Sequence, residues 1–341
     1  SEALKCGEAL GPIVAVQTTS NPASRKRIEA FARGAPYRVK IRGLAQGAVV
    51  DDEVEVDSVR GGVDANEDWA EVERLFAQAR CAISNTADRG YETDAADRLD
   101  GRVPRSFPAK LARLLVARWR AGAPPITLFP CELTPDNGDT LRAIVLQILD
   151  GWGVEEATRR WVGEQCVWVN SLVDRIVSEP LEPLGAVAEP YALWAIEDRP
   201  GLTPPCRHAD VVVTSDLKRY ERLKLFILNL GHTWLAEQWR RSNGTADMLV
   251  REAMADAGLR GSLDDLYETE VLPAFAAIGM DEEARRYRDS VIERFCNPFL
   301  DHRLAEIHNN HAAKKQRRFG GLIALAPGLA QPKLAAALAA G

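Results

Sequence analysis

Residues 125–153 read PITLFPCELTPDNGDTLRAIVLQILDGWG, and this stretch decides the fold class. The apolar run at 125–133 predicts a strand. Apolar residues then recur at helical spacing over 139–153, which predicts a helix. A strand followed closely by a helix is the repeating unit of parallel sheets with right-handed crossovers, so the stretch predicts an α/β fold.

The same alternation continues toward the amino terminus. Further strands are predicted at 12–17, within 37–60 and at 80–87, and further helices at 22–33, 66–79 and 108–122. The apolar run at 12–17 is interpreted as a buried strand. After residue 217 only helical periods occur, at 219–241, 246–257, 262–278, 281–294 and 297–316. We therefore expect an α/β domain at 1–217 followed by an all-helical domain at 218–341.

Composition narrows the class of protein. The chain has 341 residues, a net charge of −6 and 27% charged residues, which suits a two-domain globular enzyme and argues against a nucleic-acid partner. The six cysteines are scattered without a CxxC pair, which is typical of reduced thiols in a cytoplasmic protein and predicts no metal site. No stretch is long and apolar enough to predict a membrane span.

The helix predicted at 219–241 contains the most informative segment, ERLKLFILNLGHTWLAE at 221–237. Its apolar residues form a packing stripe, and Glu221, Lys224, Asn229 and His232 share the opposite arc of an ideal α-helix. Gly231 costs such a helix about 1 kcal/mol relative to alanine, which indicates that something approaches the backbone closely there.

Two interpretations of this polar arc stay open from the residues alone. The first is a solvated surface helix. The second is a catalytic cluster, in which a lysine of lowered pKa exchanges a proton with a carbonyl oxygen and an asparagine amide polarises that carbonyl. A histidine would then bind a neighbouring hydroxyl, and the glutamate would relay protons to solvent.

Several motifs together resemble the polyol-specific long-chain dehydrogenases, also called the mannitol dehydrogenase family. The Lys-x4-Asn-x2-His pattern from Lys224 to His232 is one of them. The others, in chain order, are ISNTADRGY (83–91), FPCELTPDNGDTLR (129–142), LVDRIV (172–177) and ERFCNPFLDHRL (293–304). The Pro-Cys-Glu-Leu form at 130–133 is similar to the tagaturonate reductase branch. The resemblance implies a Rossmann-like, mostly parallel sheet domain before the helical domain.

The resemblance also implies a reaction: metal-free hydride transfer between NAD(P)H and a keto-sugar acid or ketose. It assigns Lys224 as general acid/base, Asn229 and Asn137 as the amides that hold the reacting oxygen, His232 as a hydroxyl ligand and Glu221 as a proton gate. Asn137 precedes Gly138, and taken alone this pair predicts a turn.

Further residues are implied at the edges of the site. For the cofactor they are Gln17, Thr18, Thr19, Asn85, Thr86 and Asp88. For the substrate they are Arg294, Asn297, His302 and Lys314, the last of which would meet a sugar-acid carboxylate. Two of these residues also have structural interpretations, since Asp88 would serve as a helix cap and Arg294 would form an ion pair between domains.

Two departures from the family pattern affect these expectations. No G-x-G-x-x-G precedes Pro12, so we expect that the first strand and glycine-rich turn are missing, and that the carboxyl-terminal end is truncated. No carboxylate directly follows Gln17-Thr18-Thr19, so the sequence is compatible with NADP as well as NAD.

We expect a reductase of the tagaturonate-to-altronate type, acting as a monomer or small homo-oligomer. A mannitol or arabinitol dehydrogenase and a non-catalytic binding protein are the alternatives.

Overall fold

The structure is a computed structural model that describes residues 1–86 and 89–340. Asp88 lies outside the described residues, and its expected cofactor contact stays a prediction.

Every strand of the described residues lies before the long helical region. The strands are β1 (Ile13–Gln17), β2 (Tyr37–Ala45), β3 (Ala48–Val56), β4 (Val59–Asp64), β5 (Cys81–Ser84), β6 (Thr127–Pro130), β7 (Val167–Trp168), β8 (Ser171–Asp174), β9 (Val177–Pro180), β10 (Ala186–Ala188), β11 (Leu193–Glu197) and β12 (Val211–Thr214). The α-helices among them are α1 (Glu2–Lys5), α2 (Pro22–Ala32), α3 (Trp69–Gln78), α4 (Phe107–Arg120), α5 (Asn137–Gly151) and α6 (Glu156–Arg160), with a π-helical segment π1 (Trp161–Gln165) after the last.

The parallel units predicted around residues 125–153 are confirmed. Strands β5, β6 and β7 form one parallel sheet, with α4 connecting β5 to β6 and α5 following β6. Leu115 of α4, Leu128 of β6 and Val145 of α5 belong to the buried core of this unit. The carboxyl ends of β5 and β6 therefore lie side by side, which is where ligands bind in open parallel sheets.

Strand β1 is where the predicted burial was wrong. It pairs in parallel with β4, and α2 packs against this two-stranded sheet. Within the described residues no second strand flanks β1, so Ile13, Val14 and Val16 remain 38–46% exposed. An apolar run predicts a strand, but burial depends on neighbours that the run itself does not encode.

Two mixed sheets carry the chain toward the helical region. One has the order β3-β2-β10-β9 and the other the order β12-β11-β8. In the second, β8 runs antiparallel to β11 and ends at Asp174, which is buried. This strand end is the part of the sheet region that meets the helices.

Only helices follow β12 in the described residues. They are α7 (Leu217–Leu223), α8 (Leu230–Arg241), α9 (Val250–Ala255), α10 (Ala257–Leu266), α11 (Leu272–Ala277), α12 (Asp281–Phe295), α13 (Leu304–Ile307), α14 (His311–Lys315), α15 (Gly321–Leu325) and α16 (Pro332–Ala339). Three π-helical segments continue helices within this region: π2 (Lys224–Asn229), π3 (Tyr267–Val271) and π4 (Gln316–Gly320). We propose, on this change from strands to helices, a domain boundary at residue 217.

One predicted helix was wrong in its extent. The helical period at 297–316 is in fact interrupted, because the chain is not helical from 296 to 303 and breaks again before α14. Pro298 cannot continue a helix without losing a hydrogen bond, and Asn310 has a left-handed φ of 55°. The break directs His302 toward the face of α8 that carries His232, and the two ring centroids lie 4.8 Å apart.

Candidate functional site

The helix that contains the Lys-x4-Asn-x2-His pattern changes its winding within that pattern. Segment π2 begins at Lys224 and ends at Asn229, between α7 and α8. Bonding from residue i to i+5 brings residues five apart nearer to one face than an ideal α-helix does, and such π-bulges are frequent at functional sites. The ideal-helix placement of Lys224 relative to Asn229 therefore needs correction: the two residues lie closer in angle than the sequence predicts.

The close approach expected at Gly231 is confirmed. A Cβ added there would lie 2.1 Å from the hydroxyl oxygen of Tyr267. That hydroxyl donates a 2.8 Å hydrogen bond to the carbonyl of Ile227, inside π2. The glycine thus gives a buried tyrosine access to a carbonyl in the π-helical segment, and this contact helps to hold Lys224 and Asn229 in their arrangement.

Lys224 reaches from the helix to the end of β8. Its Nζ donates to the carbonyl of Val173 at 2.7 Å and lies 3.8 Å from Oδ1 of Asp174. Burial lowers the pKa of the Lys224 amine, the charge of Asp174 partly opposes this, and the charge of Arg294 adds to the lowering. A partly buried lysine with a lowered pKa can exchange protons more readily near neutral pH than an exposed one.

Arg294 bridges the sheet region and the helical region. Its guanidinium donates to both carboxylate oxygens of Asp174 at 2.9 and 3.0 Å and to both of Glu189 at 2.8 and 2.9 Å. It also lies over the ring of Tyr191, 4.3 Å from its centroid. With most of its donors used in this way, the geometry favours the alternative of an ion pair between domains over a substrate contact.

The hydrogen bonds of Arg294 also determine how closely Lys224 pairs with Asp174. Burial alone would raise the pKa of Asp174, but Arg294, and more weakly Lys224 and the hydroxyl of Tyr287, hold it below its ordinary value. Because Arg294 takes both oxygens of this carboxylate, Lys224 keeps only the longer 3.8 Å contact. Its ammonium is therefore less firmly held by a counter-charge than a directly bonded ion pair would be.

Asn229 and His232 offer groups that are free to bind a ligand. The carboxamide of Asn229 has no hydrogen-bond partner within residues 1–86 and 89–340, although its backbone carbonyl accepts bonds from Thr233 and Arg318. The buried ring of His232 packs against Phe295 with centroids 4.2 Å apart. Burial, with neighbouring cations, keeps the pKa of His232 well below its ordinary value, so the ring is a neutral hydrogen-bonding group.

The hydrogen bonds of Asn137 argue against its predicted role as the second oxygen-binding amide. Its Nδ2 lies within 3.0 Å of the carbonyls of Pro130, Glu132 and Ser171, and its Oδ1 accepts from the amides of Gly138 and Ser171. The side chain is 1% exposed, so no donor remains for a substrate. Asn137 instead begins α5 and ties it to β6 and β8, so the Asn137-Gly138 pair lies in the first turn of a helix and not in the separate turn that the pair alone predicts.

Two further predicted residues have protein partners. Glu221 faces Lys218 at 3.4 Å rather than Lys224. Asn297 donates to the carbonyl of Arg42 and accepts from the amide of Phe299, so it connects the β2–β3 hairpin to the helices. These contacts support structural positions for Glu221 and Asn297, and their expected roles stay predictions.

Sequence reasoning missed Arg318 altogether. It lies in π4, and its Nη1 donates to the carbonyl of Asn229 at 3.0 Å and to Oγ1 of Thr233 at 2.6 Å. The signal available in the sequence was the spacing from Lys314, since residues four apart share a face of a helix. The run AAKKQRRFG contains four cations, however, and nothing in it distinguishes the inward-facing ones.

The carboxyl ends of the parallel strands fit a dinucleotide. At the end of β1, Gln17 donates to the carbonyl of Thr19 at 2.9 Å and to Asp64 at 3.2 Å, while its own Oε1 is buried without a partner among the described residues. Thr18 is partly buried and Thr19 exposed beside it. An orphaned buried acceptor next to a carboxylate suits the hydroxyls of a ribose.

The carboxylate of Glu132 lies at the ends of β5 and β6, which belong to a separate parallel sheet. Its buried carboxylate accepts from Ser84 Oγ at 3.0 Å, from the amide and hydroxyl of Thr86 at 3.0 and 2.9 Å, and from the hydroxyl of Tyr91 at 3.1 Å. Asn85 lies exposed between the first two. Glu132 thereby fixes the loop that follows β5, and the expected contact of Asn85 and Thr86 with a cofactor stays a prediction.

The described residues contain neither a metal-binding cluster nor a helix that could span a membrane. No group of three or more His, Cys, Asp or Glu side chains has the geometry to hold a metal ion within residues 1–86 and 89–340. Over the same residues, no helix combines the length and the apolar character that crossing a membrane requires.

The buried histidines predict a loss of stability in acid. Burial is the largest cause of a lowered pKa at His232, His302, His308 and His311. The unfolded chain, with histidine pKa values near 6.5, then binds more protons than the folded chain below about pH 6.5, so the free energy of unfolding falls as the pH decreases through that value.

We expect His232→Gln to reduce this dependence. Urea unfolding at pH 7.5 and 5.5 should show a pH-induced loss about 1 kcal/mol smaller in the variant than in the unsubstituted chain. Equal pH dependence in the His232 variant and the unsubstituted chain would contradict the neutral buried ring.

Comparisons with known proteins place these observations in a wider context. The chain matches the family model of the mannitol dehydrogenase Rossmann domain over residues 42–205 and that of the mannitol dehydrogenase C-terminal domain over residues 216–340. An altronate oxidoreductase of Bacillus subtilis (strain 168) is 32% identical over 306 residues, which make up 83% of this chain and 62% of that protein. One from Halalkalibacterium halodurans is 30% identical over 334 residues, 90% of this chain and 63% of that protein. The chain thus spans a little under two thirds of the length of these curated relatives.

Two solved structures share the fold. A D-sorbitol dehydrogenase in substrate-free form superimposes with a TM-score of 0.77 at 22% identity, covering 94% of this chain and 72% of that one. The mannitol 2-dehydrogenase of Pseudomonas fluorescens, in a ternary complex with NAD and D-mannitol, does so with a TM-score of 0.73 at 18% identity, covering 96% and 72%. At these identities the likeness concerns the fold.

Proposed function

The chain belongs to the mannitol dehydrogenase family, and from that premise we propose that it reduces a keto-sugar acid to the corresponding hydroxy acid with NADH, in the manner of tagaturonate to altronate. The observation that carries the proposal is the position of Lys224: a partly buried amine of lowered pKa, 2.7 Å from the Val173 carbonyl and on the same π-helical segment as the unpartnered carboxamide of Asn229.

The proposed chemistry divides the work among three side chains. When bound, NADH supplies the hydride that reaches the ketone carbon. The carboxamide of Asn229 donates to the oxygen on which negative charge develops, and the ammonium of Lys224 gives that oxygen its proton. The neutral ring of His232 binds a hydroxyl beside the reacting carbon. In the direction of oxidation, the unprotonated amine of Lys224 takes the proton back.

The cofactor proposal rests on the carboxyl ends of β1, β4 and β5. Gln17 Oε1, with Asp64 beside it, would accept hydrogen bonds from the adenosine ribose, and Asn85 and Thr86 would lie at the nicotinamide end. No carboxylate follows β1 in the sequence, but the fold brings Asp64 to 3.2 Å from Gln17. A negative charge there disfavours a 2′-phosphate, so we propose NAD(H) over NADP(H).

The choice of a sugar acid is supported by the curated relatives, which are altronate oxidoreductases. The alternative within the same class is oxidation of a polyol such as mannitol. The alternative from another class is a protein that binds a nucleotide without turnover.

One panel separates these functions. Tagaturonate, fructuronate, fructose and xylulose are each supplied with NADH and with NADPH, and NAD(P)H oxidation is followed while calorimetry measures NADH binding. The proposal expects the highest kcat/KM with a keto-sugar acid and NADH. A higher kcat/KM with fructose or xylulose would favour the polyol enzyme. NADH binding without turnover of any ketone would favour the non-catalytic protein.

A further inference from the structure

We propose that Arg318 joins Lys314, for which the family resemblance already implies a carboxylate contact, in a carboxylate-binding subsite beside His232, and that Arg318 selects an acidic sugar over a neutral one. The inference rests on the proposed function for its substrate class, and it concerns the far end of the substrate rather than the reacting carbon.

The first argument is the position of Arg318. Its Nη1 donates to the carbonyl of Asn229 and to Oγ1 of Thr233, which lie on either side of His232 along the helix π2–α8. These two bonds hold the guanidinium against the face that carries the proposed catalytic groups. They leave the other N–H groups of its planar fork for a ligand, and that fork matches the two oxygens of a carboxylate.

The second argument is the absence of a counter-charge. Within residues 1–86 and 89–340, neither Arg318 nor Lys314 has a carboxylate oxygen within 4.0 Å, and Lys314 Nζ donates to the backbone carbonyl of Ile307 at 2.8 Å. Neutral oxygens alone thus hold these two partly buried cations. Such charges are costly unless an anion joins them, so the arrangement is suited to a ligand that brings one.

Neighbouring cations show that the chain does supply counter-charges elsewhere. Lys315, Arg240 and Arg241 all approach the buried carboxylate of Glu237, at 3.6, 3.7 and 2.7 Å. Lys315 directly follows Lys314 in the sequence, yet of these two lysines only Lys315 has a carboxylate partner among the described residues. The two sides of α14 therefore differ: one is a closed ion-pair cluster, and the other presents positive charge to the face of His232.

The electrostatic effects around His232 agree with this picture. Burial, and then the charge of Arg317, lowers the pKa of Arg318 to about 10, and burial, and then Arg318, lowers that of Lys314. After burial, the groups that lower the pKa of His232 are His302, Arg318, Arg294 and Lys314, so all of these lie near the ring. A bound carboxylate would relieve the mutual repulsion of these groups.

The test compares sugars that differ only at the acidic end. Without a nicotinamide cofactor, neither gluconate nor its neutral counterpart sorbitol can be turned over, so calorimetry measures their binding directly. Fructuronate and fructose form the matching pair for kcat/KM with NADH. The variants are Arg318→Gln, which removes the charge, Arg318→Lys, which keeps it, and Arg317→Gln, which removes an exposed charge from the neighbouring position.

We expect Arg318→Gln to weaken gluconate binding and to lower kcat/KM for fructuronate by about 10- to 100-fold, as for loss of a hydrogen bond to a charged group. Binding of sorbitol and kcat/KM for fructose should change less than about threefold. Arg318→Lys should recover part of the loss, and Arg317→Gln should behave like the unsubstituted chain. Urea unfolding checks that each variant is folded.

Other results would overturn the subsite. Gluconate binding that is absent in the unsubstituted chain, or equal in Arg318→Gln, would do so, as would an equal loss for the acidic and neutral sugars. The two proposals fail separately. Gluconate binding through Arg318 without reduction of any ketone removes the proposed function and keeps the subsite, whereas ketone reduction that is indifferent to Arg318 does the reverse.

Discussion

Replacing Lys224 with alanine is expected to lower kcat for ketone reduction by about 10²- to 10⁴-fold, the range that a positioned general acid contributes. The fold should persist, because Asp174 keeps both of its bonds to Arg294 when the amine is removed. Steady-state NADH oxidation with the best ketone of the panel measures the loss, and urea unfolding measures the stability.

A second lysine on the same helix provides the control for this prediction. Lys218 is about half exposed and pairs with Asp136 at 2.7 Å and with Glu221 at 3.4 Å, so Lys218→Ala removes a charge from α7 without removing a contact of Lys224, Asn229 or His232. It should leave kcat within about twofold, as expected for an exposed ion pair. A Lys224→Ala protein that keeps most of its turnover would refute the assigned role, whatever the behaviour of the control.

The pH dependence follows from the protonation state that each direction needs. Reduction needs the ammonium of Lys224, so its rate should fall as the pH rises through the pKa of this group, and oxidation should rise over the same range. Burial places that pKa below the ordinary lysine value. The fall in the reduction rate and the rise in the oxidation rate should therefore both occur closer to neutral pH.

Replacing Arg294 with methionine is expected to have the largest effect on stability, a loss of about 3–5 kcal/mol in the free energy of unfolding. Arg294 is 4% exposed and is bonded to two carboxylates that are each 3% exposed, Asp174 and Glu189. Without the guanidinium, the two carboxylates become buried negative charges that lack a partner of opposite charge. Because protonation would neutralise them, the loss in the free energy of unfolding should become smaller as the pH is lowered.

An exposed arginine of the same helix is the matched control. Arg285 is also in α12, with ion pairs to Asp281 at 3.1 Å and Glu268 at 3.5 Å, and all three side chains are nearly half exposed. Arg285→Met should cost less than about 1 kcal/mol. If urea unfolding gave similar losses for the two variants, the buried network would not hold the two regions together as described.

Much of this fold was predictable, because local patterns encode it. The strand and helix at 125–153 became β6 and α5, and the change to helices after residue 217 is in the structure. The exposure of β1 was not predictable, since it depends on which strands flank it. Pro298 indicates the interruption near it, although the helical period on either side predicts a continuous helix.

The candidate site was predictable in its residue types and less so in its geometry. Gly231 indicated a close approach, and the hydroxyl of Tyr267 makes it. The π-helical winding between Lys224 and Asn229 has no signature in a single sequence, and it alters their relative angle. The backbone contacts of Asn137 were not predictable, because an asparagine that bonds to the backbone looks the same in sequence as one that binds a ligand.

The titration of Lys224 itself tests the central claim most directly. Competitive acylation of the chain's lysines over a range of pH, with each modified peptide quantified by mass spectrometry, gives the pKa of individual amines without cofactor or substrate. Burial is the main cause that lowers the pKa of Lys224, and the bond to Asp136 raises that of Lys218. The account predicts that Lys224 titrates below Lys218 and below the ordinary lysine value of about 10.4. A Lys224 that titrates at or above Lys218 would contradict it.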